Sequence, residues 1–183
     1  MSKLQDAENF AKERHSGMTR KDGVTTYFEH LSGVVARLKN LGIIDEDVLC
    51  AAWLHDAIED TNTTFDDIEQ IFGSKVAVLV LALSKDRRLV KAHQDEQYIK
   101  QLKDASFKAK LIKLCDISAN IKDIKNATLS KTKKVKTIRK IMHYLNTIKP
   151  DLVNNKDQVP GIASLINGIN EIVISYGQRP IKL

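Results

Sequence analysis

Three prolines and eight glycines are few for 183 residues. No stretch gathers them with serine, so the chain offers no linker or low-complexity segment at which to divide. Cysteine is equally scarce. Cys50 and Cys115 both sit inside apolar helical patterns, which suits buried free thiols in a reducing compartment better than a disulfide framework. No run approaches about eighteen apolar residues, the length a membrane span needs. Residues 1–11 carry charges where a signal peptide needs an apolar core, so a soluble, cytoplasmic protein is expected. Short alternating apolar and polar runs, the mark of half-buried strands, are nearly absent as well. That last absence sets the fold class: apolar residues recur at helical spacing through most of the sequence, which predicts an all-α, compact single domain over residues 1–183.

Hydrophobic residues make up 43% of the chain, enough for one full core. The formal charge of +6 favours anionic partners, although charge describes attraction and solubility rather than one ligand. Six basic residues lie between Lys131 and Lys140, spaced with Val135 and Ile138 as on an amphipathic helix. They form a solvated face or a guide for polyanions. No aromatic residue interleaves with them as a stacking platform, which speaks against a single-stranded nucleic-acid partner. The periodicity predicts helices over 4–15, 30–41, 45–58, 65–72, 74–83, 94–103, 106–126, 131–148 and 158–176. Residues 15–27 have no such period and contain Gly17, Gly23 and three threonines, so they read as a loop, a common place for ligand contacts.

Chemistry concentrates in residues 51–60. On a helix turning about 100° per residue, His55, Asp56, Glu59 and Asp60 fall within roughly 140° of arc, among otherwise apolar neighbours. Leu49, Ala52 and Trp53 flank even this stripe, so the helix reads as buried nearly all round. Three carboxylates in such a place repel one another and lose hydration, and a cation, a proton or basic partners must compensate. A charged solvent face is the alternative. Residues 111–123 repeat the pattern: Asp116, Asn120 and Asp123 stand at i, i+4 and i+7, one face of a helix that is otherwise apolar. A lone buried Asp is ordinarily a hydrogen-bonded structural residue, and a lone His30 opening another helix is ordinarily a cap or a core residue. Taken together, His30, His55, Asp56 and Asp116 make a mixed nitrogen and oxygen set that suits a divalent ion of the Mn, Fe or Zn kind.

His30, the doublet His55-Asp56 and the distant Asp116 resemble the H…HD…D signature of the HD-domain metal-dependent phosphohydrolases. Further segments narrow the resemblance: His15, Arg20 and Lys21 ahead of Tyr27 and His30, then HDAIEDTNTT, then Phe72-Gly73 with Val76, and the run from Ala109 to Asp116 with Asn120. In that order they resemble the hydrolase domain of the RelA/SpoT family, most closely its stand-alone small alarmone hydrolases. The resemblance is strongest over residues 5–148; residues 150–183 form a C-terminal helical segment that adds little to it.

The resemblance implies hydrolysis of the 3′-pyrophosphate of ppGpp and pppGpp to GDP or GTP and pyrophosphate, usually with Mn²⁺. It implies His30, His55, Asp56 and Asp116 as metal ligands and Glu59 and Asp60 as the acidic pair that positions or activates the attacking water. Arg20 would contact the guanine base, Lys21 would help hold the nucleotide, Asn120 would touch its ribose side, and Tyr144 would supply an aromatic contact. The partner implied is a small guanine nucleotide; neither a nucleic acid nor a membrane is expected, and oligomeric state is left open. The chain departs from the family at Thr26 and Leu31, where proline is usual, at Ile117, where a basic residue is usual, and at Asp123. These changes bear on substrate preference and rate more than on reaction type. Two alternatives stand beside this reading: an HD phosphohydrolase acting on another phosphorylated nucleotide or dinucleotide cofactor, and a non-catalytic nucleotide-sensing module.

Overall fold

The structure is a computed structural model that describes residues 2–183, with Ala92 described by its backbone alone; Met1 of the expected 1–183 domain lies outside the described residues. Its helical segments are α1 (Lys3–Arg14), α2 (Tyr27–Asn40), α3 (Glu46–Leu54), α4 (Ala57–Asp60), α5 (Phe65–Phe72), α6 (Ser74–Leu83), α7 (Lys91–Asp104), α8 (Phe107–Ile124), α9 (Lys131–Asn155) and α10 (Gly161–Ser175). Among the described residues no strand forms, and an isolated antiparallel bridge joins Thr19 to Thr26. The all-α expectation holds.

Local chemistry explains the boundaries. Ser2, Thr26, Asp45, Thr64, Ser106 and Ser130 each accept a backbone N–H of the first turn that follows, satisfying donors a helix start leaves free. Thr64 and Asp67 do so reciprocally. Gly73 ends α5 and opens α6 at φ +87°, a conformation in which any other residue is strained.

Two boundaries differ from the periodicity. The helix expected over 45–58 breaks at His55 and Asp56, where the His55 ring Nδ1 lies 2.8 Å from the Ala52 carbonyl oxygen and Asp56 stands at φ −100°, ψ −3°. Helix α9 runs past Ile148 and through Pro150 to Asn155. Proline removes one backbone donor, but Leu145, Ile148 and Leu152 are fully buried along the same face and carry the helix across it. A buried ammonium anchors the extension as well: Lys110, only 3% exposed, donates from Nζ to Asp151 Oδ2 (2.7 Å) and to the Lys103 carbonyl (2.8 Å). Asp151→Ala is expected to cost about 1–3 kcal/mol of stability by leaving that ammonium short of a partner. An unchanged urea midpoint would show that the Lys103 carbonyl suffices.

Helix α3 lies at the centre. Its residues Val48 through Leu54 are all buried, against α1, α2, α6 and α8. Helix α8 is buried nearly as completely and packs on α2, α3, α6, α9 and α10. Polar side chains on such helices have no water to turn to, so they must find one another. They do so where the C-terminal end of α3, the first turn of α2 and the middle of α8 meet. Cys50 and Cys115 are buried and unpaired, and burial pushes their thiols up to about 11 and about 12, which leaves them unreactive packing residues.

Candidate active site

Four expected ligand residues converge from three elements. His30 Nε2 stands 3.3 Å from Asp116 Oδ1 and 3.8 Å from Asp56 Oδ2. His55 Nε2 stands 3.2 Å from Asp56 Oδ2 and 3.6 Å from Asp116 Oδ1. One nitrogen of each imidazole and one oxygen of each carboxylate thus face a common centre. The donor atoms of His30, His55 and Asp56 all lie within 4.8 Å of one another.

The surroundings fix each donor. The Ala52 carbonyl occupies Nδ1 of His55 and turns Nε2 inward. Lys113 Nζ donates to Asp116 Oδ2 (2.8 Å), and Asn120 Nδ2 donates to Asp116 Oδ1 (2.6 Å). The Tyr27 hydroxyl lies 2.7 Å from Asp56 Oδ2 and 2.6 Å from Asp60 Oδ2, joining the centre to the acidic residues one turn on. His15 stacks on the Tyr27 ring at 4.9 Å and holds it from behind. Burial opposes charge on His55, yet the carboxylates of Asp56 and Asp116 hold its pKa well above the ordinary imidazole value. Burial likewise opposes ionised Asp116, and Lys113 with the two imidazoles outweighs it and holds the carboxyl well below its usual range. The centre attracts positive charge.

The remaining expected residues surround it. Glu59 is half-buried and accepts the Lys85 backbone N–H (3.1 Å); burial raises its carboxyl pKa, and Asp56 adds to the shift. Asp60 pairs with Arg87 (2.5 Å). Arg20 does face the site: Nη2 donates to Asn120 Oδ1 (2.5 Å), Nε pairs with Asp123 Oδ2 (3.0 Å), and the guanidinium lies 5.1 Å from the Tyr27 ring centre. The 15–27 loop is a clasp. Arg20 N–H donates to the Thr25 carbonyl and Tyr27 N–H to the Met18 carbonyl, while Thr128 N–H takes the Lys21 carbonyl, tying the loop to the connection between α8 and α9. Tyr144 is buried in the adjoining wall, its hydroxyl on Asp95 (2.9 Å) and its ring beneath the ammonium groups of Lys85 (5.0 Å) and Lys113 (5.5 Å). It reaches the centre through those lysines.

Sequence reasoning missed Lys113, Lys85, Arg87 and Asp95, and it left the Tyr27 hydroxyl without a task. Lys113 carried a signal, three residues before Asp116 on the same helix face. Tyr27 carried the same signal relative to His30. Lys85 and Arg87 lie in an aperiodic loop and carried none.

A family model described as an HD domain matches residues 7–159. The chain belongs to the HD domain family. Among HD-domain relatives it is similar to the guanosine-3′,5′-bis(diphosphate) 3′-pyrophosphohydrolase MESH1 of Danio rerio, 39% identical over 127 residues that cover 68% of this chain and 71% of that one. It is similar to the bifunctional (p)ppGpp synthase/hydrolase SpoT of Escherichia coli strain K12, 33% identical over 141 residues, 74% of this chain and 20% of that one. A solved metazoan ortholog of SpoT, described as hydrolysing ppGpp and playing a role in starvation responses, superposes with a TM-score of 0.83 at 29% identity over 98% of both chains. An HD domain implies a divalent metal ion. The donor set fits one: Nε2 of His55 and Nε2 of His30 are buried with no hydrogen-bond partner, a costly arrangement that a cation coordinated by these two inward-facing atoms relieves.

Proposed function

We propose that this HD domain is a Mn²⁺-dependent pyrophosphohydrolase of guanosine alarmones, converting ppGpp or pppGpp and water to GDP or GTP and pyrophosphate. The observation that carries the reading is the convergence of His30, His55, Asp56 and Asp116 on one centre, with Glu59 and Asp60 a turn beyond, in a chain similar to MESH1 over most of its length. His30, His55, Asp56 and Asp116 are the proposed metal ligands. When bound, the ion lowers the pKa of a water and draws charge from a phosphoryl oxygen.

The chain's own residues supply the rest. Glu59 and Asp60 are the proposed water-handling pair: Glu59 has a basicity raised by burial, and Asp60 is held by Tyr27 and Arg87. Water attacks the phosphorus bonded to the 3′ oxygen, the bond between them breaks, pyrophosphate leaves intact, and the 3′ oxygen ends as a hydroxyl. Arg20 and Asn120, already bonded to each other, offer a planar guanidinium and an amide to the base and ribose, and Lys21 beside Arg20 helps hold the nucleotide. Tyr144 serves this site by fixing Lys85 and Asp95. A cytoplasmic location belongs to the reading, and the unpaired buried thiols suit a reducing compartment. Among the described residues no helix is long and apolar enough to cross a membrane.

Purified protein is expected to release pyrophosphate from ppGpp with Mn²⁺ and to stop on chelation. Phosphate released instead from another nucleotide in a parallel panel would replace the substrate, and metal-independent binding without turnover would make the domain a sensor. Asp123→Ala, which frees the Arg20 guanidinium from its carboxylate, is expected to raise KM about tenfold with kcat little changed, because Arg20 acts in binding. A fall in kcat at constant KM would move Arg20 out of the binding role.

A further inference from the structure

The unabsorbed feature of the molecule is the group of cations beyond Glu59. Asp95 on α7 meets three groups at once: it pairs with Lys140 Nζ at 2.7 Å and Lys85 Nζ at 3.4 Å and accepts the Tyr144 hydroxyl at 2.9 Å. One carboxylate thus stands between two ammonium groups, and the Glu59 carboxylate also acts on Lys85. Lys113 lies over the same two rings as Lys85, Tyr98 and Tyr144, at 5.3 and 5.5 Å, but is committed to Asp116. Lys140 also acts on Lys21: partial burial, then Arg20, then Lys140 lower the Lys21 pKa. Burial and then Lys140 lower that of Lys85.

The contacts run in a chain around the centre. Asp116 leads through Lys113 and Tyr144 to Lys85, Asp95 and Lys140, and on the other side through Asn120 to Arg20 and Lys21. Lys85 is thereby tied to the acidic residues beside the centre, its backbone N–H on Glu59 and its ammonium over the Tyr144 ring that Lys113 shares, and Lys140 joins it through Asp95. An alarmone carries phosphates at both ends of its ribose. With the scissile pyrophosphate at the four donors, the other end needs cations not already committed to the centre.

We propose that Lys85 and Lys140 form the subsite for the substrate's non-scissile 5′-diphosphate, with Asp95 as the counterion that holds the two ammonium groups in place until phosphate arrives. The assignment rests on the alarmone reading for the identity of its ligand. Lys85 is the fixed member, its side chain 18% exposed and seated on two tyrosine rings, and Lys140, 45% exposed, is the adjustable one. Ammonium groups bind phosphate as point charges and tolerate the rotation of a flexible diphosphate. Were the cluster only a surface ion pair, it would contribute little and discriminate nothing.

Calorimetric titration with GDP and, separately, with guanosine, without divalent metal, tests this on wild type, Lys85→Gln and Lys140→Gln. Each substitution is expected to weaken GDP binding about tenfold and to leave guanosine binding unchanged. Should Lys85→Gln melt early, Lys140→Gln at the more exposed position carries the comparison alone. Equal losses for both ligands, no loss, or wild-type GDP binding no tighter than guanosine overturns the subsite. If lysine-dependent GDP binding is found in a protein that releases no pyrophosphate from ppGpp, the proposed activity fails and the subsite stands. Pyrophosphate release without lysine-dependent GDP binding does the reverse.

Discussion

His55→Ala and Asp56→Ala should each abolish pyrophosphate release, a loss of at least about a thousandfold, and should abolish the rise in Tm expected of the wild type on addition of Mn²⁺. The two readouts belong together. His55 and Asp56 supply adjacent donors to one centre, and His30 and Asp116 contribute only one atom each to it, so losing either member leaves three donors with an open side. The fold has reason to survive. Both substitutions remove groups whose charge burial opposes, and the seven buried residues of α3 that precede them are untouched. Metal content measured on the purified variants closes the argument: robust turnover, or metal retained at wild-type stoichiometry, removes these residues from the ligand set.

Glu59→Gln should act differently, retaining metal while losing about 10²- to 10⁴-fold in kcat. The side chain accepts the Lys85 backbone N–H, and a glutamine carbonyl oxygen can accept the same bond, so position is conserved and only proton affinity is removed. That makes the substitution a clean probe of proton transfer. Asp60→Asn is less clean, because it also disturbs Tyr27, whose hydroxyl spans Asp56 and Asp60, and Arg87. Loss of metal in Glu59→Gln would move Glu59 among the ligands, and unimpaired turnover would leave Asp60 as the single acceptor.

Much of this was legible in the sequence, for a physical reason. Charged residues in apolar helical runs are conspicuous, and His30, His55, Asp56, Glu59, Asp60 and Asp116 could be picked out because burial without partners is expensive. The expected ends of the 65–72 and 74–83 helices were met as well, since Thr64 and Gly73, next to them in the chain, set those boundaries. The break at Asp56 was not legible: periodicity is continuous through residues 55–60, yet α3 ends at Leu54 and α4 begins at Ala57. Nor was the course of α9 through Pro150, which packing decides against local propensity. Lys85, Arg87 and Asp95 act through partners 26, 27 and 49 residues away, so no local pattern could announce them.

The corner between α3 and α4 has a consequence for how this chain can vary. Consecutive side chains on an unbroken helix diverge by about 100°, yet His55 Nε2 and Asp56 Oδ2 stand 3.2 Å apart and aim at one point. Only the turn makes neighbours in sequence into neighbours in coordination. A single insertion or deletion between Leu54 and Ala57 would swing one donor out of register without removing any residue type. The doublet is thus tied to a fixed chain length as firmly as to its two side chains, and length polymorphism in this protein should be confined to its other loops.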